Sequence, residues 1–270
     1  MALKVSYAQN GEDIILERLF GAQKIGFYID IGASHPEVLS VTKRFYDRGW
    51  RGINIDPLKG SFELFSRERP RDLNLNVAIA KQEGTREFYE VVDYPELSSF
   101  SSDSLEGSPH TIISYPVDVI TGNKLFDEYV VGTVDFLKID VEGAELEVLE
   151  SLDLLRHRPR VLIVEATVPD SEFPGWHNFK SILSFEQWEP LILRAGYLFA
   201  YFDGLNNFYV RDEDKDFLEC FSVGLCCWDD YAPHAYVARI AELDWHCEER
   251  MKQITTLTEM VQVLQNKVKK

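Results

Sequence analysis

Gly26-Phe27-Tyr28-Ile29-Asp30-Ile31-Gly32-Ala33-Ser34-His35 decides how this chain folds. Phe27 to Ile31 is an almost continuous apolar run, the mark of a strand covered on both faces. The run ends in small residues, and a helix-like pattern follows from Val38 to Tyr46. Strand, tight turn and helix in that order open the ligand crevice of a doubly wound parallel sheet. Gly32 and Ala33 allow the backbone to approach a ligand closely, and Asp30 places a carboxylate near the strand's C-terminal end.

The next unit repeats the design. Trp50-Arg51-Gly52-Ile53-Asn54-Ile55-Asp56-Pro57 reads as a second short strand ending in an acid. A carboxylate there can accept hydrogen bonds from both hydroxyls of a ribose. A dinucleotide site calls for G-x-G-x-x-G, and Gly32 is the one glycine of that pattern present. The acid just before it repels pyrophosphate but suits an ammonium and a sulfonium. The pairing of Asp30 with Asp56 therefore favours S-adenosylmethionine over NAD.

Gly26–Pro57 is similar to the core of FkbM-type methyltransferases, S-adenosylmethionine-dependent enzymes of glycan and polyketide pathways. Four further blocks appear in the family's order: SYAQNGEDIILERLF from Ser6, FLKIDVEGAELEVL from Phe136, RVLIVEAT from Arg160, and WEPLILRAGYLFAYFDGLNNFYV from Trp188 to Val210. The resemblance implies a Rossmann-like α/β class I methyltransferase sheet, mostly parallel, with a terminal antiparallel hairpin. It implies cofactor contacts from Glu12, Asp30, Gly32, Ala33, Ser34, His35, Asp56 with Pro57, Ala78 near the end of the third strand, and Asp140. The YFDGLNNFYV ending resembles sugar O-methyltransferases of surface-polysaccharide pathways, so the expected acceptor is a saccharide or glycan. A glycosyltransferase partner or a fused neighbouring domain fits such a pathway.

A sugar hydroxyl is a poor nucleophile, and a base should take its proton during transfer. The candidates are Asp140, Glu142, Glu165, His35 and His177. Lys138, Asp140 and Glu142 alternate along the stretch Val134–Gly143, read as the fourth core strand, and so share a face. Glu165 ends the fifth strand. A divalent ion held by Asp140, Glu142 and Glu165 is the rival device, but no recognised ligand motif supports it, and no metal is predicted. Two polar loops, Leu97–His110 and Trp176–Ser184, are candidate lids, with Ser98, Ser99 and His110 in the first. Leu73–Ala80 reads as the third strand.

Composition sets the outer bounds. The 270 residues suffice for one large domain and an appendage, and the formal net charge of −17 argues against nucleic acid or an anionic membrane as partner. Cys220, Cys226, Cys227 and Cys247 lack C-x-x-C spacing. Free thiols in a cytoplasmic chain are expected. Neither a membrane-spanning run nor a signal peptide is evident.

The expected division is a methyltransferase domain over 1–233 and a helix over 234–270. In that helix Ile240, Cys247, Ile254, Val261 and Val268 fall at heptad a, and Leu243, Arg250, Leu257 and Leu264 at d. β-Branched a residues with leucine at d favour self-association as a parallel two-stranded coiled coil. The competing functional expectation is a catalytically degenerate methyltransferase-like scaffold whose coiled coil docks a glycan-assembly partner.

Overall fold

The computed structural model describes residues 3–95, 98–100, 109–168, 175 and 177–268. Along the chain the elements are β1 (Lys4–Ser6), α1 (Glu12–Phe20), β2 (Phe27–Ile31), α2 (Lys43–Asp47), β3 (Arg51–Ile55), α3 (Lys59–Glu68), β4 (Leu73–Leu75), β5 (Ala78–Ile79), β6 (Gly84–Val91) and β7 (Ile112–Ile120). They continue with α4 (Gly122–Tyr129), β8 (Phe136–Ile139), α5 (Glu145–Glu150), β9 (Val161–Glu165), α6 (Glu189–Arg194), β10 (Tyr197–Phe202), β11 (Asn206–Arg211), β12 (Tyr231–Pro233) and α7 (His234–Val268). Two compact units result: residues 7–226, and residues 3–6 with 227–268.

In the larger unit the strand order is β10-β11-β9-β8-β2-β3-β4. β4, β3, β2, β8 and β9 run parallel, and β11 lies antiparallel between β9 and β10. The chain starts in the middle at β2, winds outward to β4, then returns to the other side of β2 at β8. That reversal creates a topological switch point at the C-terminal ends of β2 and β8. A separate small sheet, β5-β7-β6, branches off after β4.

Both faces of the large sheet are buried, as its apolar strands require. Ile29, Ile31, Ile53, Ile55, Leu137, Ile139, Leu162 and Val164 pack on one face with residues of α4, α5 and α6. Tyr28, Phe136, Val161, Ile163 and Phe208 pack on the other with α1, α2 and Trp50. Asp30, Asn54 and Lys138 fall on this second face by period-two alternation. Asp30 pairs in register with Asn54 on one side and Lys138 on the other, so a polar row crosses three adjacent strands inside the core.

Three sequence expectations are corrected. The helix expected over Val38–Tyr46 starts only at Lys43, because Pro36 and a left-handed Leu39 (φ 54°) hold the preceding residues in a turn. Leu73–Ala80 is not one strand: β4 and β5 belong to different sheets, with Asn76 and Val77 between them. The strand read as far as Gly143 stops at Ile139, since Glu142 and Gly143 both take positive φ.

The smaller unit holds the parallel pair β1–β12 and α7, a helix of 35 residues. Among the described residues, no helix is long and apolar enough to cross a membrane.

Candidate active site

A cavity of about 1050 Å³ opens at the switch point. Three turns build its floor: the one after β2 (Gly32, Ala33, Ser34), the one after β3 (Asp56, Pro57, Leu58), and the one after β8 (Asp140, Val141, Glu142). The small sheet supplies another wall through Ala78, Arg86 and Phe88.

The first turn approaches the third so closely that a side chain at Gly32 is excluded. Gly32 has φ 79°, and a Cβ there would lie 1.7 Å from the carbonyl oxygen of Asp140. Ser34, Leu39 and Glu142 are non-glycine residues in left-handed conformation, and all three line the cavity. Backbone strain of this kind costs about 1–3 kcal/mol per residue and concentrates at functional sites.

Carboxylates lock the turns. Asp56 Oδ2 accepts the N–H of Ser34 at 2.7 Å, and Oδ1 accepts that of Leu58 at 2.8 Å. Burial pushes the Asp56 carboxyl up to about 6, against the pull of those two bonds. Glu145, at the start of α5, accepts the N–H groups of Val141 and Gly143 at 3.2 and 3.1 Å and so fixes the third turn.

Behind the floor lies a chain of alternating charge. Lys138 Nζ donates to Asp140 Oδ2 at 2.8 Å and stands 3.9 Å from Asp30 Oδ1, a buried oxygen that finds no hydrogen-bond partner among the described residues. Thr42 Oγ1 donates to Asp30 Oδ2 at 3.2 Å and accepts from the buried guanidinium of Arg69 at 2.8 Å. Arg69 also donates to Ser40 Oγ and the Pro36 carbonyl, which ties the residues before α2 to α3. Burial alone would lower the Lys138 pKa, but Asp140 and Asp30 outweigh it and hold the ammonium charged. Burial raises the Asp30 carboxyl, with Lys138 and Arg69 opposing.

A second group of acids surrounds the start of β11. Glu12 Oε1 accepts from Asn206 Nδ2 at 3.0 Å, and Asn206 also donates to Asp203. Burial, then the Asp203 charge, lifts Glu12 to about 8. Glu165 pairs in register with Asn206. Burial, then Asp140, Glu142 and Glu145, lifts Glu165 to about 10.

The cavity gathers Gly32, Ala33, Ser34, Asp56, Pro57, Ala78, Asp140 and Glu142 of the expected residues, together with Ser98, Ser99 and His110. Glu12, Asp30, His35, Glu165 and His177 do not line it. Asp30 lies behind the floor beside Lys138, and Glu12 lies against Asn206 at the start of β11. Glu165, one of the expected bases, lies off the lining, with its carboxyl raised by burial and by the acids around it. His35 Nδ1 accepts the N–H groups of Glu37 and Val38, which leaves the ring proton on Nε2 and makes the imidazole a turn-forming acceptor rather than a base. Residues 96–97, 101–108, 169–174 and 176, which include Trp176 and parts of both expected lids, lie outside the described residues. Among the described residues no three His, Cys, Asp or Glu side chains converge as metal ligands, Asp140, Glu142 and Glu165 included.

Arg69 and Glu145 escape sequence reading. Arg69 sits in a run of charged residues (Arg67-Glu68-Arg69-Pro70-Arg71-Asp72) that looks solvated, and Glu145 reads as an ordinary first-turn acid of a helix.

The residues present fit a cofactor that joins a nucleoside to a cationic amino-acid arm. Asp56, with apolar Leu58, Val77 and Ile79 nearby, suits the nucleoside, and Glu142 across the floor suits the cation.

Among curated proteins nothing matches this chain. Similar solved structures include a TehB-like SAM-dependent methyltransferase from Corynebacterium glutamicum (9% identity, 74% of this chain and 88% of that chain, TM-score 0.37). CalO1, a methyltransferase of calicheamicin biosynthesis in its SAH-bound form, matches at 15% identity over 75% of this chain and 54% of its own, TM-score 0.33. A 1,6-didemethyltoxoflavin-N1-methyltransferase from Burkholderia thailandensis matches at 12% identity over 74% of each chain, TM-score 0.36. The model of the methyltransferase FkbM domain matches residues 30–199, the stretch that holds all three turns of the cavity floor. With well over half its length under that model, this chain belongs to the FkbM methyltransferase family.

Proposed function

We propose that this protein is an S-adenosylmethionine-dependent O-methyltransferase that methylates a sugar hydroxyl during surface-polysaccharide biosynthesis in the cytoplasm. The observation that carries the reading is the convergence of Gly32, Asp56 and Asp140 on one cavity at the switch point of the sheet. The cofactor, when bound, supplies an electrophilic methyl group on a sulfonium. Everything else falls to the chain. Asp56 holds the nucleoside end, and the turns locked by Asp56 and Glu145 fix the floor, so that alignment contributes roughly 7–11 kcal/mol. Asp140 is the base. It lines the cavity, and its Oδ2 is anchored by Lys138, which fixes the carboxylate for a hydroxyl that loses its proton during transfer. General base catalysis adds about 10²–10⁴-fold. The sugar acceptor rests on the resemblance of Tyr201–Val210 to sugar O-methyltransferases.

The test is transfer of a labelled methyl group to a panel of nucleotide sugars and oligosaccharides. Wild type should label at least one acceptor in an alkali-stable ether. Asp140→Asn should lose about 10²–10⁴-fold in kcat while S-adenosylhomocysteine still binds, and Glu165→Gln should keep most of its activity. Label on nitrogen or carbon, or full activity in Asp140→Asn, would refute the reading.

A further inference from the structure

α7 presents its heptad seam to solvent along its length. Tyr236, Ile240, Leu243, Ile254, Leu257, Val261 and Leu264 are each between 47% and 68% exposed. They recur at alternating four- and three-residue spacings, broken only where Cys247 and Arg250 take the a and d places between Leu243 and Ile254. At 1.5 Å per residue the 35-residue helix is about 52 Å long. An apolar seam of about 42 Å, from Tyr236 to Leu264 and interrupted only at Cys247 and Arg250, is an interaction surface, not scattered surface hydrophobicity.

We propose that the occupant of this stripe is the same stripe of a second copy, wound as a parallel, in-register, two-stranded coiled coil. The flanking charges select that arrangement. In a parallel pair, each g residue faces the e residue five places further along the partner. Arg239 at g then meets the partner's Asp244 at e, and the remaining facing pairs, His246 with Met251, Gln253 with Thr258 and Met260 with Gln265, set no like charges together. An antiparallel pair sets g against g and e against e. Arg239, which pairs with Glu242 of its own helix at 2.6 Å, then faces no acid of the partner, and Asp244 faces no base of the partner. Ile at a with Leu at d selects two strands. The Arg250 layer brings two guanidinium groups together, so it loosens the middle of the coil. Both chains enter the coil at the same end, at His234.

Cys247 at an a position provides a native reporter, because parallel in-register pairing faces the two thiols across the seam. The experiment uses the full chain carrying Cys220→Ser, Cys226→Ser and Cys227→Ser. Sedimentation at micromolar concentration should give a dimer. Diamide should then link the chains through Cys247, the two thiols losing their protons and two electrons to the reagent, which becomes the hydrazine. Ile254→Asp with Leu257→Asp should leave a monomer with an unchanged near-ultraviolet spectrum from the larger unit. Arg250→Leu, a gain that misfolding cannot mimic, should tighten association by about tenfold or more. A monomeric parent, a trimer or tetramer, a dimer without the Cys247 link, a dimer that survives the aspartates, or no tightening by Arg250→Leu would each overturn the proposal.

Discussion

Asp56 reaches back from the end of β3 to hold the N–H of Ser34 at 2.7 Å, in the turn that follows β2. Its other oxygen holds Leu58 at 2.8 Å, at the entrance of α3. The carboxylate that sequence logic assigns to a ribose is therefore already the clamp between two turns. Each oxygen retains a second lone pair, so the clamp and the nucleoside contact are compatible. The acid positions the floor and then presents itself on it.

The approach of Gly32 to Asp140 is the tightest constraint in the site. Gly32→Ala places a methyl group against a main-chain oxygen and forces alanine into φ 79°. We expect a loss of about 2–5 kcal/mol, and a Tm lower by roughly 5–15 °C in calorimetry. Gly49→Ala is the comparison, with φ 94° but nothing near the added carbon. It should cost only about 1–2 kcal/mol. Equal effects of the two would show that crowding at Asp140 is unimportant.

Lys138 lies between Asp30 and Asp140, with its side chain 9% exposed and that of Asp30 2%. Lys138→Met leaves Asp30 buried without its nearest cation. Urea unfolding should show a loss of about 3–5 kcal/mol. Asp30→Asn added to that variant should restore part of it, since the uncompensated charge is gone. Strictly additive losses would mean that the two residues are not coupled.

Much of this was legible beforehand, for a physical reason. Tyr28 to Ile31 and Val161 to Glu165 are apolar runs with little competing signal, and the expected terminal antiparallel hairpin forms from β10 and β11. The failures occur where tertiary contacts override local pattern. Val38 to Tyr46 has a helix's periodicity, yet His35 caps a turn at Glu37 and Val38, and Arg69 pins the Pro36 carbonyl from another element. The alternation of Lys138, Asp140 and Glu142 is a strand's period, but a left-handed Glu142 ends it. The acids expected at the cavity divide in two. Asp56 and Asp140 stand on the cavity floor, and Asp30 and Glu165 do not line it, a distinction that spacing does not encode.

Stability should depend on pH through Glu12. Its value is raised from 4.5 to about 8, first by burial and then by Asp203. The folded chain thus binds more protons than the unfolded chain between those values. Stability contributed by the protonated form is fully present below pH 4.5 and is lost as pH rises through 8. Thermal melting of the cofactor-free chain should therefore fall from pH 6 to pH 8.5, a window within which carboxylates ordinarily stay ionised. Glu12→Gln should make that slope shallower, the remainder coming from Glu165, whose carboxyl is also raised, and should raise the melting temperature at the alkaline end. An unchanged slope in the variant would remove Glu12 from the account.

The central claim is that the crevice between Gly32, Asp56 and Asp140 binds the methyl donor. Calorimetric titration with S-adenosylhomocysteine, on wild type and on Asp56→Ala, tests it most directly, with near-ultraviolet dichroism showing that both are folded. The account predicts micromolar binding by wild type and a loss of about 100-fold or more in the variant. No heat of binding from folded wild type, or equal affinity in the two proteins, would contradict it.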